Sequence, residues 1–256
     1  MITLLTDFGH QDAYVGVMKG IIASRCPTTT MVDLTHDIPP QDLWAARFQL
    51  MSVFPYFPSH TVHLVVVDPG VGTNRRAVAV RLVGGYFVGP DNGVISGVLD
   101  QTPVLEAVEL TNMAYWYGPN PSATFQGRDV FAPAAAHLAN GVPLSSLGTP
   151  IPPDSLVRLP VLPLTDTNQG LMGSLQYIDH FGNAVTTIPE DYLAAGPWCM
   201  EWKDLSLPGV LTYNDVAPGQ PLALVGSHGF LEIAVNQGNA HRQLGLTTGD
   251  AVYLVQ

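Results

Sequence analysis

Five prolines, Pro150, Pro152, Pro153, Pro160 and Pro163, fall between Gly148 and Gly170, and no helical period joins them. Proline locks φ and removes a backbone donor, so the stretch reads as a connector, and two domains are expected, residues 1–165 and 166–256. The hydrophobic pattern changes across it. Before the connector, short apolar runs alternate with helical spacing. Ile2–Thr6, Thr30–Leu34 and Thr61–Val67 read as strands; Asp12–Cys26, with Val15, Met18, Ile21 and Ile22 on one face, and a stretch from Leu43 to Phe54 read as helices. Pro27 stops the first helix. Val65, Val66 and Val67 in a row indicate a strand covered on both faces, as in a parallel sheet with right-handed crossovers. Ala77–Val83 and Tyr86–Val88 form a hairpin around Gly84-Gly85, followed by a short helix Val94–Leu99 capped by Asn92, a strand Val104–Leu110, and a helix from about Asp129 that ends before Gly141.

Beyond the connector the runs are short and separated by Gly, Pro and Asp/Asn turns: Leu171–Asp179, Asn183–Ile188, Trp198–Lys203, Pro221–Val225, Phe230–Asn236 and Ala251–Val255, with one short helix near Glu190–Ala195. The expected fold class is therefore α/β: an N-terminal α/β domain with a mostly parallel sheet and a smaller C-terminal all-β barrel or sandwich.

Charge narrows the partners. Ten Lys and Arg against twenty-one Asp and Glu give a net charge of −11, and no basic cluster exceeds Arg75-Arg76, which excludes nucleic acid and anionic membrane as expected partners. Charged residues make up 12%, about half the usual ~25%, which points to surface covered by other subunits. Cys26 and Cys199 have neither a disulfide-framework nor a zinc spacing. No signal-peptide pattern opens the chain and no 18-residue apolar run occurs, so a soluble, cytoplasmic protein is expected.

The chemistry-bearing residues gather at strand ends. Asp7, the group Asp33, His36 and Asp37, and Asp68 each sit at or near the end of one of three successive strands, the edge where open α/β sheets bind ligands. In VVVDPGVGTNRR the strand runs into Asp68 on a tight turn, from which Arg75 can return its guanidinium to the carboxylate. GVGTNR lacks the third glycine of a dinucleotide fingerprint and the Lys-Ser/Thr ending of a Walker loop. A carboxylate at Asp7 suits a vicinal diol; Asp12, at the helix start, suits either an N-cap or a substrate ammonium. Asp7, His10, His36 and Asp37 have no HxH or HExxH spacing, and no metal is expected. In IDHFGNAVTTI, Phe181 beside Asn183 suits an adenine, which needs a stacking face and an amide reader; Asp179 and Asn183 equally suit a hairpin turn around Gly182.

TDFGHQDAYVGVMKG (6–20), VVDPGVGTNRR (66–76), GPDNG (89–93), TFQGRDVFAPAAAHL (124–138) and DHFGNAVT (179–186) occur in this order along essentially the whole chain. Together they resemble the S-adenosylmethionine hydroxide adenosyltransferases, relatives of the fluorinase and chlorinase. The resemblance implies an N-terminal α/β domain, a C-terminal β-barrel, and a homotrimer with its substrate site between the first domain of one subunit and the barrel of the next. It implies hydrolysis of S-adenosyl-L-methionine to adenosine and L-methionine by water attacking the ribose C5′, without metal or organic cofactor. Carried over position by position, Asp7 corresponds to the ribose-diol ligand, Asp12 and Asp179 to contacts with the methionine part, and Phe181, Asn183 and Tyr213 to the adenine set. Ser227 and the backbone of His228 fall where the methionine carboxylate is held. Asp68 and Arg75 match two members of the family's Asp-Arg-His water-activating triad; the third position is Gln126, since TFQGRD stands where the family has TFHGRD. An amide orients water but takes no proton, so Asp68 is the expected base, and a slower enzyme or a non-catalytic binding protein are both implied outcomes. Halide is the poorer nucleophile here: Asp68 replaces the fluorinase's neutral tyrosine, and the insertion that the halogenases carry before GPDNG is absent.

Overall fold

Near-continuous apolar runs in the first and third strands dictate a sheet covered on both sides, and the computed structural model, which describes residues 1–256, shows it. The strands are β1 (Ile2–Thr6), β2 (Met31–Thr35), β3 (Thr61–Val66), β4 (Ala77–Leu82), β5 (Gly85–Pro90), β6 (Val104–Glu109) and β7 (Thr149–Pro150), in the order β2-β1-β3-β5-β4-β6-β7. β2, β1, β3 and β5 run parallel; β4, β6 and β7 join antiparallel at the other side. The hairpin at Gly84-Gly85 is present as read, with Gly84 at φ 101°.

Register explains the layering. Four α-helices, α1 (Tyr14–Arg25), α2 (Leu43–Val53), α3 (Ser96–Leu99) and α4 (Ala132–Ala139), accompany the sheet; in β1 and β3, Ile2, Leu4, Val62, Leu64 and Val66 face α1 and α4, sharing one core with Met18, Ile22, Phe131 and Ala135. The opposite face carries Thr3, Leu5, His63 and Val65, and the ring of Phe54, at the end of α2, lies 4.9 Å from that of His63. Asp42 caps α2, accepting from the Ala45 N–H at 2.9 Å. α1 begins at Tyr14 after Ala13, without a side-chain cap, so Asp12 is not the N-cap. α4 starts three residues later than its apolar spacing suggests because Gly127–Phe131 widens into a π-helical turn.

The chain divides into two compact units, Met1–Leu159 and Pro160–Gln256. The first part of the proline stretch is fixed to the first unit: the Val157 N–H donates to Asp91 at 2.8 Å and Arg76 Nη1 donates to Ser155 Oγ at 3.0 Å.

In the second unit β8 (Thr165–Thr167), β9 (Gly170–Ile178), β10 (Ala184–Pro189), β11 (Cys199–Trp202), β12 (Leu205–Pro208), β13 (Pro221–Val225), β14 (Phe230–Val235) and β15 (Ala251–Val255) are all antiparallel, in the order β12-β11-β15-β9-β10-β14-β13, with β8 beside β9. A bridge between Gly209 and Ala223 draws β12 toward β13 and nearly closes a barrel around Leu175, Ile188, Met200, Trp202, Ile233 and Leu254. Glu190–Ala195 is no helix: a single 3₁₀ turn, Glu190–Tyr192, follows Pro189. The short β8 and β12 were not apparent in the apolar pattern.

Candidate active site

β1 and β3 are adjacent and parallel, so the residues after them, Asp7 and Asp68, emerge side by side at one edge of the sheet. They line one cleft of about 410 Å³ with Phe8, Tyr14, Gln41 and Gln126 among its walls. Phe8, Tyr14 and Phe125 form an aromatic side to it, Phe8 to Tyr14 at 5.6 Å and Tyr14 to Phe125 at 5.1 Å between ring centres. None of the three was singled out from the sequence, because nothing local distinguishes a cleft aromatic from a core one.

Asp68 and Arg75 are paired as the turn chemistry suggested. Arg75 Nε donates to both carboxylate oxygens, at 2.9 and 3.0 Å, and Nη2 also donates to Oδ2. The same Nη2 donates to Gln126 Oε1 at 2.6 Å. The pair is nearly buried, the Asp68 side chain 5% exposed and that of Arg75 10%, and the guanidinium carbon lies 5.3 Å from the centre of the Phe131 ring. A guanidinium so held presents one carboxylate and one amide in fixed orientation. The turn that returns Arg75 depends on Gly72, at φ 79°, where an added Cβ would come within 2.9 Å of the Ala123 carbonyl. This close approach sets the 68–75 loop against the segment that carries Gln126.

Asp7 Oδ2 accepts from the backbone N–H of Gln41 at 2.8 Å. Behind it Thr6 Oγ1 lies 2.8 Å from His36 Nδ1, and His36 Nε2 lies 3.0 Å from Asp33, which also pairs with Lys19 at 2.5 Å. Lys19 and His36 hold the Asp33 carboxyl below its usual range against the opposing effect of its partial burial. The Asp33-His36 group is thus engaged in supporting the sheet edge. No group of three or more His, Cys, Asp or Glu side chains is arranged to hold a metal ion. Asp12 is exposed, two residues before α1, and is not among the residues that line the cleft.

The remaining candidates lie on the second unit. Asp179, Phe181 and Asn183 occupy the turn between β9 and β10. Asp179 Oδ1 accepts from the Asn183 N–H at 2.7 Å and Oδ2 from its Nδ2 at 3.1 Å, which serves the turn and also fixes the amide. Gly182, at φ 89°, is required there: a Cβ would overlap Asn239 at 2.2 Å. Phe181 projects from the turn, 71% exposed. Tyr213 and His228, fifteen residues apart, meet on one buried side chain that sequence reasoning missed, Glu232 of β14. The Tyr213 hydroxyl donates to Glu232 Oε1 at 2.6 Å, and His228 Nε2 lies 3.2 Å from Oε2. Burial, then the Glu232 carboxylate, push the Tyr213 hydroxyl above its ordinary range, so it stays protonated and donates to Glu232. Ser227 is exposed on the turn between β13 and β14, next to His228.

The chain matches two family descriptions, the SAM hydroxide adenosyltransferase N-terminal domain over residues 2–148 and the corresponding C-terminal domain over residues 173–253. It is similar to the (R)-S-adenosyl-L-methionine hydrolase of Salinispora tropica, 43% identical over 253 residues, 97% of this chain and 95% of the relative. It is also similar to the (R)-S-adenosyl-L-methionine hydrolase of Thermus thermophilus, 44% identical over 260 residues, 99% of each. Among solved structures, an uncharacterized conserved protein from Thermotoga maritima superposes with a TM-score of 0.92 at 37% identity, covering 100% of both chains. With both halves of the fold matched in order and the full length covered, the chain belongs to the SAM hydroxide adenosyltransferase family.

Proposed function

We propose that this protein is a hydrolase that converts S-adenosyl-L-methionine to adenosine and L-methionine by in-line attack of water on the ribose C5′. The observation that carries the reading is the nearly buried Asp68-Arg75-Gln126 chain at the wall of the cleft. A bond forms between the water oxygen and C5′ while the C5′–S bond breaks, and its electron pair goes to sulfur. Methionine leaves as a neutral thioether, so no general acid is needed. Catalysis then reduces to holding the water in line, desolvating it and accepting its proton.

Each residue has a distinct part. Asp68 is the proton acceptor, held by Arg75 through both of its oxygens. Gln126 gives its oxygen to Arg75, which leaves Nε2 as its free donor end, suited to a lone pair of the attacking water but unable to take its proton. Asp7 accepts hydrogen bonds from the ribose 2′- and 3′-hydroxyls. Phe181, Tyr213 and Asn183 receive adenine; Asp12 and Asp179 bind the methionine ammonium; Ser227 and the His228 backbone bind its carboxylate.

Cleft residues and barrel residues belong to different units of the chain, and the family reading completes each site from two subunits of a homotrimer. Exposed apolar surface on α1, with Tyr14 48% and Val17 39% exposed, supports burial against a neighbour. No metal or organic cofactor takes part, since the leaving group is neutral and the base is a side chain. A cytoplasmic location is part of the same proposal; no helix is long and apolar enough to cross a membrane.

The names of the relatives specify the R epimer, so the test presents the S and R epimers at sulfur separately to purified protein, with and without chloride, and follows products by chromatography. Adenosine and methionine formed in proportion to enzyme support the reading. Bound substrate without product supports a binding protein in which Gln126 marks lost chemistry, and 5′-chloro-5′-deoxyadenosine supports a halide-using enzyme.

A further inference from the structure

We infer that Gln41 is a positioning residue whose backbone N–H, presented by a type II turn, fixes the orientation of the Asp7 carboxylate. The inference rests on the assignment of Asp7 to the ribose diol. The Pro39 carbonyl accepts from the Asp42 N–H at 3.0 Å, closing a four-residue turn with Pro40 second and Gln41 third, and Gln41 has φ 68°. Proline at the second position excludes a positive φ there, so the turn is type II rather than type I′. Types I and II differ by a flip of their middle peptide. Here that peptide is Pro40–Gln41, and its N–H is the group that meets Asp7 Oδ2 at 2.8 Å. In a type I turn the same peptide would present its carbonyl on that side, toward the carboxylate.

The third position of a type II turn favours Gly or Asn, because a Cβ is disfavoured at positive φ. Glutamine is retained at a position that lines the cleft, and only four residues other than glycine in the chain have positive φ. Bonds at the turn's last residue and three residues before its first brace the loop that carries it. Asp42, its last residue, caps α2, and the Gly9 N–H, two residues after Asp7, donates to the His36 carbonyl at 2.8 Å. The two loops are thereby tied, with the Asp7–Gln41 bond as their contact at the cleft. With Oδ2 occupied, the carboxylate's rotation is fixed and its remaining lone pairs are available to a diol.

The test compares binding of adenosine and 2′,3′-dideoxyadenosine to the full-length protein by calorimetry, with melting temperature as the control for folding. Wild type is expected to prefer adenosine by at least about tenfold, in line with hydrogen bonds to a charged group. Gln41→Val, which disfavours the left-handed conformation, is expected to bring the ratio to within about twofold while 2′,3′-dideoxyadenosine binds as before. Gln41→Gly and Gln41→Asn keep the turn and are expected to keep the wild-type ratio, with any loss from the missing side chain falling equally on both nucleosides. An Asp7→Asn variant separates the two levels. If it retains the full preference, Asp7 is not the diol ligand and the inference falls with that assignment. If it loses the preference while Gln41→Val keeps it, or if Gln41→Gly loses it too, the positioning role of the Gln41 N–H is overturned.

Discussion

Replacing Asp68 by Asn removes the proposed proton acceptor while leaving nearly everything around it in place. The side chains are the same size, Asn Oδ1 still accepts from Arg75 Nε, and Arg75 Nη2 keeps Gln126 Oε1 as its acceptor at 2.6 Å. Arg75 is 10% exposed, so its charge would remain largely out of water, partly compensated by Gln126 and the Phe131 ring face. The amide's Nδ2 donor faces the Arg75 Nη2 donor, so the bonds at Oδ2 are lost, and breaking this nearly buried pair is expected to cost about 3–5 kcal/mol of stability, which thermal melting checks beside the rate. The rate effect is separate. A missing general base lowers the rate by ~10²–10⁴-fold, or about 3–5 kcal/mol of barrier. Adenosine formation at saturating substrate, followed by chromatography, is expected to fall by that factor, while substrate affinity measured by calorimetry changes by less than about fivefold. A variant that turns over within about fivefold of wild type would refute the assignment, because a carboxamide cannot take the water's proton.

Three further outcomes follow. Gln126→His puts an imidazole against Arg75, and the rate–pH profile is expected to rise overall and to acquire a limb between about pH 5 and 8, where imidazoles titrate; an unchanged profile would mean that position 126 does not face the attacking water. Phe181→Ala is expected to weaken adenosine binding by about tenfold, the scale of one lost aromatic stack, with little effect on stability because the ring is 71% exposed; unchanged adenosine affinity would remove Phe181 from the adenine site. His63, buried beside Thr3 Oγ1 at 2.9 Å and the Phe54 ring, has its imidazole pKa pushed down to about 4 by burial. The unfolded chain, titrating near 6.5, therefore binds more protons below that pH, so this contribution to stability is complete above pH 6.5 and is lost as pH falls toward 4. At pH 4.5 the loss amounts to about 2.5 kcal/mol, and urea titrations should show wild type losing that much more than His63→Asn between pH 7 and 4.5; equal losses would show that His63 protonates without penalty in the fold.

The parts of this fold carried by local pattern were legible in the sequence. The apolar run Val65–Val67 ending at Asp68, the glycine hairpin, and the helical spacing of Val15, Met18 and Ile22 all depend on neighbours within a few residues, and each occurs as read. The placement of Asp7 beside Asp68 followed from parallel strands with carboxylates at their ends. The features missed depend on distant partners or on backbone conformation that residue identity conceals. β12 is an exception: it pairs with its immediate neighbour β11 across a tight turn at Lys203 and Asp204, and it was missed because it alternates weakly, with a single buried residue, Leu207. The π-helical turn at Gly127–Phe131 has a composition suited to an ordinary helix start. Gln41 gives no sign of a positive φ, since glutamine is not a residue that turn chemistry favours there. Glu232 reads as a polar residue on a strand, and only the barrel brings Tyr213 and His228 to its two oxygens.

Hydrolysis in ¹⁸O-labelled water addresses most directly whether water is the nucleophile at C5′. After enzymatic turnover of unlabelled substrate, mass spectrometry of the isolated adenosine should show one ¹⁸O, located at the 5′-hydroxyl, with none in methionine. Adenosine that forms without label, label elsewhere than C5′, or no enzyme-dependent adenosine from either epimer would contradict water attack aided by Asp68, Arg75 and Gln126.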